Sequence, residues 1–393
     1  MEKVLIVKDN VNDNNITNSE EVCVYDFSCG CTLEGLKSQF FSLKNRSIRF
    51  KYVKLASTNG QHRCEEDKRE EEALLARSIE MVRLLDTAKE IVKKLEFEFI
   101  HASQGDELVS LFCHIAAGEY PNLSVLSFKN FSFSSAVCAA LIFLLTSDKT
   151  NIQQLTLRCG NIHLLDKHSN DCSENNERNN SIYFLLLKAI VGNLRLRKVF
   201  LDFHLASENV FKTLNKFKAV DIRNNINTLE ILDTPAVSAV GMGWLRCFGH
   251  LQTLRLHRCR LNHTSLSDVS DRVGQFLPNL TVLSLVQNGF KPVKDGIGAA
   301  KRAITPYNFL RYALQMRTVV EFAMSFNPKN TGTLLLNKIV KALEANPLFH
   351  LNGRSCSYYK RVLCDRQDKI TCMKAFPDKK KVASKIVQKK AIK

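Results

Sequence analysis

The chain has 393 residues, and 56 Lys and Arg residues against 39 Asp and Glu residues give it a formal net charge of +17 at pH 7. Hydrophobic residues make up 45% of the sequence, which is ample material for a core. The 13 cysteines are too few for a disulfide-stapled secreted scaffold, and no apolar run reaches the roughly 18 residues of a transmembrane helix. We therefore expect free thiols, a cytoplasmic or nuclear location or both, and no membrane contact.

The N-terminal part has two predicted regions. Residues 1–20 do not resemble a signal peptide. They are rich in Asn and Asp, so we expect them to be disordered. Residues 21–90 are predicted to form an α/β capping region. Within it, a helix is expected over 32–43, a strand over 47–55 and a helix with an apolar stripe over 65–90. This last helix is either part of the cap or the helix of an irregular first repeat.

The N-terminal part contains four cysteines and one histidine within 42 residues, which are candidate zinc ligands. The set consists of Cys23, Cys29, Cys31, His62 and Cys64. A tetrahedral zinc site usually has its paired cysteines two to four residues apart, so the single residue between Cys29 and Cys31 is too tight for one ion. We expect buried or unreactive thiols here, with neither a metal nor a cofactor.

An internal repeat organises the middle of the chain. The pattern L-x-x-L-x-L-x-x-(N/C) starts at Leu280 and, 29 residues earlier, at Leu251. It resembles the leucine-rich repeat, and its spacing with Asn288 or Cys259 at the ninth position resembles the ribonuclease-inhibitor-like and cysteine-containing subclasses. The resemblance implies an α/β solenoid, a horseshoe with a parallel concave sheet and helices on the convex side.

Weaker copies extend the array over residues 91–360, which corresponds to about nine repeats. Their first positions are residues 92, 123, 152, 196, 226, 319 and 348. The alternating apolar residues predict a short strand with one side in a core, and the stretch after each strand has helical periodicity, best seen over 266–276. The ninth-position residues Cys259, Cys356 and Cys159 are predicted to be core residues rather than nucleophiles.

Two loop insertions and a basic tail complete the predicted organisation. The insertions cover 166–181, a polar tract expected to be disordered, and 291–308. The tail covers 361–393, and residues 351–393 hold 13 Lys and Arg against 3 Asp, which is +10 of the +17. Its two clusters are formed by Lys379, Lys380, Lys381, Lys389 and Lys390. They indicate either a solvated tail or a nuclear import signal, with nucleic-acid contact as a further option.

The candidate binding residues are those that the repeat directs outward on the concave sheet, at its fifth, seventh and eighth positions. The set is Phe200, Asp202, Phe203, Glu230, Leu232, Asp233, Arg255, His257 and Arg258. Exposed aromatics beside acidic groups and arginines are typical of protein interfaces. The alternative is that Phe200 and Phe203 are covered by the 166–181 insertion or that their register is slightly different.

No Walker A, HExxH or GxSxG motif occurs in the sequence. We therefore expect a non-enzymatic adaptor that binds a protein partner on the concave face. One alternative is the substrate receptor of a ubiquitin ligase, although the first 90 residues contain no recognisable F-box. Another is a nuclear protein that binds nucleic acid through the basic tail, with Lys129, Arg158, Arg255 and Arg258 as further contacts.

Overall fold

The computed structural model of the chain consists of one long sheet with helices packed against it. It describes residues 5–9, 20–26, 47–51, 54–55, 81, 83–98, 101–102, 106–158, 161–163, 172–202, 208–217, 222–235, 237, 240–261, 263–288, 306–316, 318–325 and 328–375. A single hydrophobic core runs through these residues from Ile48 to Leu363. The predicted α/β architecture is confirmed.

Within the described residues the main sheet has twelve strands, and all neighbouring strands are parallel except the first two. Its strands in spatial order are β1 (Leu5–Asp9), β2 (Glu20–Asp26), β3 (Ser47–Lys51), β5 (Lys94–Glu98), β7 (Val125–Lys129), β9 (Gln154–Arg158), β11 (Lys198–Asp202), β12 (Thr228–Leu232), β13 (Thr253–His257), β14 (Val282–Leu285), β15 (Glu321–Met324) and β16 (His350–Leu351). Each strand of this sheet pairs with the next main-sheet strand along the chain. This order is expected of stacked repeats, in which each unit contacts only its neighbours.

A second, four-stranded parallel sheet runs beside the first and was not predicted. It consists of β4 (Lys54–Leu55), β6 (His101–Ala102), β8 (Ser132–Ser134) and β10 (Asn161–His163). Each of these strands begins three residues after a main strand ends. In these four repeats the chain therefore forms a second short strand directly after the main strand, before the next helix or repeat begins.

Helices connect most of the main strands. They are α1 (Asp106–Ala116), α2 (Ser135–Thr146), α3 (Cys172–Gly192), α4 (Glu208–Leu214), α5 (His263–Phe276), α6 (Pro306–Gln315), α7 (Thr333–Glu344) and α8 (Cys356–Ala375), with 3-10 turns at Gly243–Phe248 and Pro328–Asn330. Helices of successive repeats pack side by side, as in the pairs α1 with α2, α2 with α3 and α7 with α8. One layer of helices thus covers one face of the sheet, and the other face, which we call the open face, carries no helix among the described residues.

The strand register agrees with the repeat alignment of the sequence. Leu126 pairs with Leu95 on one side and with Leu155 on the other, and Leu254 pairs with Leu229 and Leu283. The first-, fourth- and sixth-position residues of the units that start between residues 92 and 319 are all buried. A one-residue slip would turn these apolar side chains to the open face, so the hydrophobic pattern specifies the register.

The ninth position of the repeat holds the turn after the strand. The side-chain amide of Asn288 donates to the carbonyl oxygens of Leu256 at 2.6 Å and Leu285 at 3.0 Å. Its Oδ1 accepts from the backbone N–H of Cys259 at 2.9 Å. Cys259 is fully buried, and its thiol donates to the carbonyl oxygen of Ile231 at 3.5 Å in the preceding repeat. These side chains satisfy buried backbone groups that the turn leaves without partners.

Phenylalanines fill the core beneath β5 and β7. The rings of Phe97 and Phe128 are stacked with centroids 5.2 Å apart. Phe112 of α1 and Phe133 of β8 meet the Phe128 ring edge to face, at 5.6 Å and 5.1 Å. Phe128 therefore joins two repeats, a helix and the second sheet in one aromatic cluster.

The N-terminal predictions need two corrections. Residues 5–9, expected to be disordered, form β1, which pairs antiparallel with β2. Within the expected separate cap, β2 and β3 continue the main sheet without a break. The strand predicted over 47–55 is present as β3 and β4. The acidic first part of the helix predicted over 65–90 lies outside the described residues, and residues 83–88 are helical.

The predicted insertions and the tail also differ from the structure. Residues 172–181, expected to be disordered, form the first half of α3, and 306–308 begin α6. The tail was expected from residue 361, but α8 continues to Ala375. Lys379, Lys380, Lys381, Lys389 and Lys390, like residues 166–171 and 291–305, lie outside the described residues.

The last repeat is irregular. Leu348 was assigned to the buried first position, yet it is 79% exposed, and Phe349 is buried in its place. Cys356 was expected in the turn after the strand, but it begins α8, where its half-buried thiol donates to the carbonyl oxygen of Val340 at 3.7 Å. Cys159 lies outside the described residues.

Candidate functional site

The fifth positions of successive repeats form one row across the open face. In spatial order the row is Arg49, Glu96, Ser127, Thr156, Phe200, Glu230, Arg255, Ser284 and Ala323. Neighbouring parallel strands lie about 4.8 Å apart, so each side chain of the row is flanked closely on both sides. Arg49, Glu96 and Glu230 are for this reason largely buried although they point away from the helices.

Glu230 lies at the centre of a charged cluster. Its Oε1 accepts a hydrogen bond from Nη2 of Arg158 at 2.7 Å, and its Oε2 accepts one from Nη1 of Arg255 at 3.4 Å. The Glu230 side chain is 10% exposed, whereas the two arginines are 32% and 34% exposed. The guanidinium carbon of Arg158 lies 5.4 Å from the centroid of the Phe200 ring, within range of a cation–π interaction. We call Arg158, Phe200, Glu230 and Arg255 the arginine cluster.

The acidic residues predicted to be exposed beside the aromatics are mostly buried. Asp202 is 2% exposed and Glu230 is 7% exposed as whole residues. Phe200 and Leu232 are half-buried rather than exposed, and Phe200 lies next to the guanidinium of Arg158. Phe203 lies outside the described residues. The predicted acidic–aromatic surface is therefore an arginine-lined surface with its carboxylates underneath.

The edge of the open face carries a second ion pair. Nη2 of Arg258 lies 2.5 Å from Oδ2 of Asp233 in the neighbouring repeat, and the Arg258 side chain is 49% exposed. Both residues occupy the eighth position and have positive φ angles of 54° and 45°, where the chain turns out of the strand. This left-handed conformation is costly for residues other than glycine, and the repeat imposes it here as part of the turn.

His257 lies next to the arginine cluster. Its Nε2 is 2.7 Å from Oγ of Ser284 in the next repeat. Burial lowers the pKa of His257 below its ordinary value of 6.5; Glu230 opposes this shift, and Arg255, Arg158 and Arg258 add to it. The imidazole is therefore neutral at pH 7 and adds no further positive charge to the open face.

A second charged cluster on the open face was missed by the sequence analysis. Nε of Arg49 donates to Oε2 of Glu96 at 2.7 Å, and Nζ of Lys94 lies 3.6 Å from the other Glu96 oxygen. The available signal was opposite charge at the fifth position of adjacent units. It could not be used because the strand of Arg49 was assigned to the cap and not to the array.

The buried thiols are poor nucleophiles. Burial raises the pKa of Cys259 and of Cys138 to about 12, and that of Cys247 to about 11. Thiolates, not thiols, attack electrophiles, so these cysteines are core residues. Within the described residues no group of three His, Cys, Asp or Glu side chains could hold a metal ion. Cys29, Cys31, His62 and Cys64 lie outside them.

The helix layer contains a groove between α2 and α3 with a volume of about 460 Å³. Ile142, Leu145, Leu185 and Leu194 line it together with Lys188 at its rim. Leu185 is 47% exposed and Leu194 is 57% exposed. This groove lies on the layer opposite the open face and is separate from the arginine cluster.

Parallel strands in repeat register, buried leucine positions and an Asn or Cys in the turn define a leucine-rich repeat solenoid of the α/β class. No protein-family model matches the chain, and no curated protein matches it. Among solved structures, the chain is similar to an internalin from Listeria monocytogenes. That match has 13% sequence identity and a TM-score of 0.25, and it covers 62% of this chain and 70% of that chain. Among the described helices, none has the length and apolar character that a membrane span requires.

Proposed function

We propose that the chain is a non-enzymatic adaptor that binds a protein partner on the open face of its repeat sheet. The observation that carries this proposal is the arginine cluster, in which guanidinium groups and an aromatic ring lie side by side on a face that no described helix covers. Arginine and aromatic residues dominate the binding energy of protein interfaces because they combine large contact area with several donors. Leu232, Asp233, His257 and Arg258 extend this surface, and Asp202 lies beneath it.

The chemistry of the open face supports a binding role rather than catalysis. The His257 and Ser284 side chains are hydrogen-bonded, but Ser284 is buried. A catalytic pair needs a third group that orients the base, and the ring of His257 has no such hydrogen bond within the described residues. We propose that no cofactor is needed.

The location and the subclass are part of the same proposal. Cys138, Cys247 and Cys259 are free thiols, which fits a reducing cytoplasm or nucleus. The hydrogen bond from the Cys259 thiol to the preceding repeat fits the cysteine-containing or ribonuclease-inhibitor-like subclasses. A substrate-receptor role in a ubiquitin ligase remains a prediction from the repeat resemblance alone.

Affinity capture from cells tests the proposal, with the full chain as bait. Arg255→Glu reverses a charge on the open face, and Arg311→Glu reverses an exposed charge on α6 as the matched control. We expect Arg255→Glu to lose protein partners that the unchanged chain and Arg311→Glu both retain. Identical partners from all three baits would contradict binding on the open face. Thermal unfolding of each bait separates loss of binding from loss of folding.

Nucleic-acid binding is the competing function, favoured by the exposed arginines of the open face and by the charge of the tail. It predicts that affinity for a labelled oligonucleotide falls steeply with salt, because each neutralised phosphate releases counterions. Removing residues 376–393 would then weaken binding, whereas capture of a protein partner on the open face would be unaffected by this truncation. The tail deletion therefore distinguishes the two functions.

A further inference from the structure

The arginine cluster has a layered geometry that indicates the kind of partner it fits. Arg255 is the direct cross-strand neighbour of Glu230, and Arg158 reaches Glu230 from β9, across the intervening strand β11. Two guanidinium groups thus approach one carboxylate from opposite sides. The carboxylate is the least exposed of the three groups, so the arginines form the outer layer.

The two arginines retain hydrogen-bonding capacity toward the solvent side. A guanidinium has five N–H donors, and within the described residues Arg158 and Arg255 each donate one hydrogen bond, to Glu230. Nε of Arg158 is buried without a hydrogen-bond partner, next to the Phe200 ring. Apart from this buried Nε, the remaining donors belong to side chains that are 32% and 34% exposed, so they can bind another acceptor.

The charge balance favours an anionic acceptor. The outer layer of the cluster is cationic, because two guanidinium groups hydrogen-bond to the single carboxylate of Glu230 while the Asp202 carboxylate is buried beneath them. Lys129, the register neighbour of Arg158 on β7, adds a further positive charge, and its other register neighbour is Glu98 on β5. Arg258 does not contribute because Asp233 neutralises it. A carboxylate on a partner could therefore bind the two arginines through charge-assisted hydrogen bonds, which are stronger than neutral ones.

The surroundings favour a peptide over a nucleic acid. The half-exposed Phe200 and Leu232 offer apolar contacts for a side chain next to the bound carboxylate. Glu98 and Asp233 are partly exposed on the same face, so a continuous run of phosphates would meet carboxylates around the cluster. A peptide with spaced acidic residues avoids this repulsion.

We propose that Arg158 and Arg255, positioned by Glu230, bind an acidic side chain in a peptide segment of the protein partner. This inference rests on the proposed function and specifies the chemistry of its ligand. Glu230 is a positioning residue, since it holds both guanidinium groups in place without contacting the ligand. Phe200 supports Arg158 from below through its ring face.

Direct binding to a defined probe tests the inference, with the full chain and fluorescence anisotropy. The probe is a fluorescein-labelled peptide of alternating Glu and Ala, and the matched neutral peptide has Gln in place of Glu. We expect only the Glu peptide to bind. Arg158→Ala and Arg255→Ala should each weaken its affinity about tenfold or more, since each removes hydrogen bonds to a charged group. Arg311→Ala on α6 has the same net charge as these variants and should leave the affinity unchanged.

Glu230→Gln distinguishes positioning from simple charge. Removing a negative charge would by itself tighten binding of an acidic peptide. We expect weaker binding, because the amide replaces one of the two accepting oxygens with an NH2 donor that faces a guanidinium. Tighter binding would overturn the positioning role. Arg255→Lys keeps the charge but not the planar guanidinium. Its affinity for the Glu peptide should therefore lie between that of the unchanged protein and that of Arg255→Ala.

Two results would overturn the inference as a whole. One is a Glu peptide that fails to bind. The other is a Glu peptide whose affinity is insensitive to Arg158→Ala and Arg255→Ala, as expected if the basic tail held it. An oligonucleotide that binds with the same arginine dependence while the Glu peptide does not would point to the competing ligand. If the peptide fails while Arg255→Glu still abolishes partner capture, the proposed function survives and only this inference falls.

Discussion

Arg158 and Glu230 are 72 residues apart in the chain, yet Nη2 of the arginine lies 2.7 Å from Oε1 of the glutamate. Two strand spacings separate β9 from β12, a distance of about 10 Å that an extended arginine side chain can bridge. The ring of Phe200 on the intervening strand lies beneath the guanidinium. The open face of three consecutive repeats is thereby tied together by side chains as well as by the backbone ladder.

This ion pair should be energetically coupled more strongly than an exposed pair of similar length. For Arg158→Ala, Glu230→Ala and the double variant, we expect a coupling free energy of about 1–3 kcal/mol, because Glu230 is largely desolvated. Urea unfolding of the four proteins measures it. Lys360 and Glu344 are 2.8 Å apart with side chains 52% and 44% exposed, and their cycle should show little coupling. Equal couplings in both cycles would mean that burial does not strengthen the open-face pair.

Asn288→Ala should destabilise the protein strongly. The amide makes hydrogen bonds to the backbone of Leu256, Leu285 and Cys259, and all of these groups are buried. Leaving them unpaired should lower the free energy of unfolding by about 3–5 kcal/mol. Urea denaturation provides the measurement. Gln252→Ala, an exposed amide in the preceding repeat, serves as the control and should leave stability nearly unchanged; similar losses for both variants would contradict a structural role for this amide.

Phe128→Ala should be among the most damaging core substitutions. Its ring stacks on Phe97 and meets Phe112 and Phe133 edge to face, so truncation leaves a cavity between two repeats. We expect a loss of about 3–5 kcal/mol, measured by thermal or urea unfolding. Phe143→Ala removes the same atoms from a side chain that is 58% exposed, and it should change stability little. A large effect of Phe143→Ala would instead mean that this side chain is covered.

His257 should make the stability of the protein depend on pH in the acidic range. Burial holds its pKa in the folded protein below 6.5, so the unfolded chain binds the proton first as the pH falls. Its contribution is complete above the ordinary value and is lost as the pH drops through that value toward the folded pKa. Between about pH 7.5 and pH 5.5, the free energy of unfolding should fall more for the unchanged protein than for His257→Gln.

Parallel pH series for the two proteins provide this test. Other groups titrate in both proteins, so the difference between the two series isolates His257. Identical slopes would show that the imidazole is solvated in the folded protein. A steeper decline for His257→Gln would reverse the sign of the expected effect.

The strand register was predictable from the sequence, and the reason is local. Leucines at fixed spacing, such as Leu251, Leu254 and Leu256, alternate toward the core, and only one alignment of neighbouring repeats buries them all. The place of Asn288 in the turn after its strand was predictable for the same reason, because the ninth position follows the strand at a fixed spacing in each regular repeat. Prediction was less successful where the repeat degenerates. Phe349 replaces Leu348 in the core, and the polar residues 172–181 extend a helix whose apolar second half anchors it.

The adjacency of the candidate binding residues was predictable from the sequence, whereas their burial and ion pairing were not. The spacing of the repeat places Phe200, Glu230 and Arg255 next to each other in one row, and the register confirms that adjacency. Whether Glu230 is offered to a partner or held by arginines depends on how far Arg158 reaches across β11, and this distance is not encoded in any single repeat. Burial along the sheet and long-range pairing of charges arise only when the strands are assembled, because desolvation and Coulomb energy depend on neighbours that are distant in sequence.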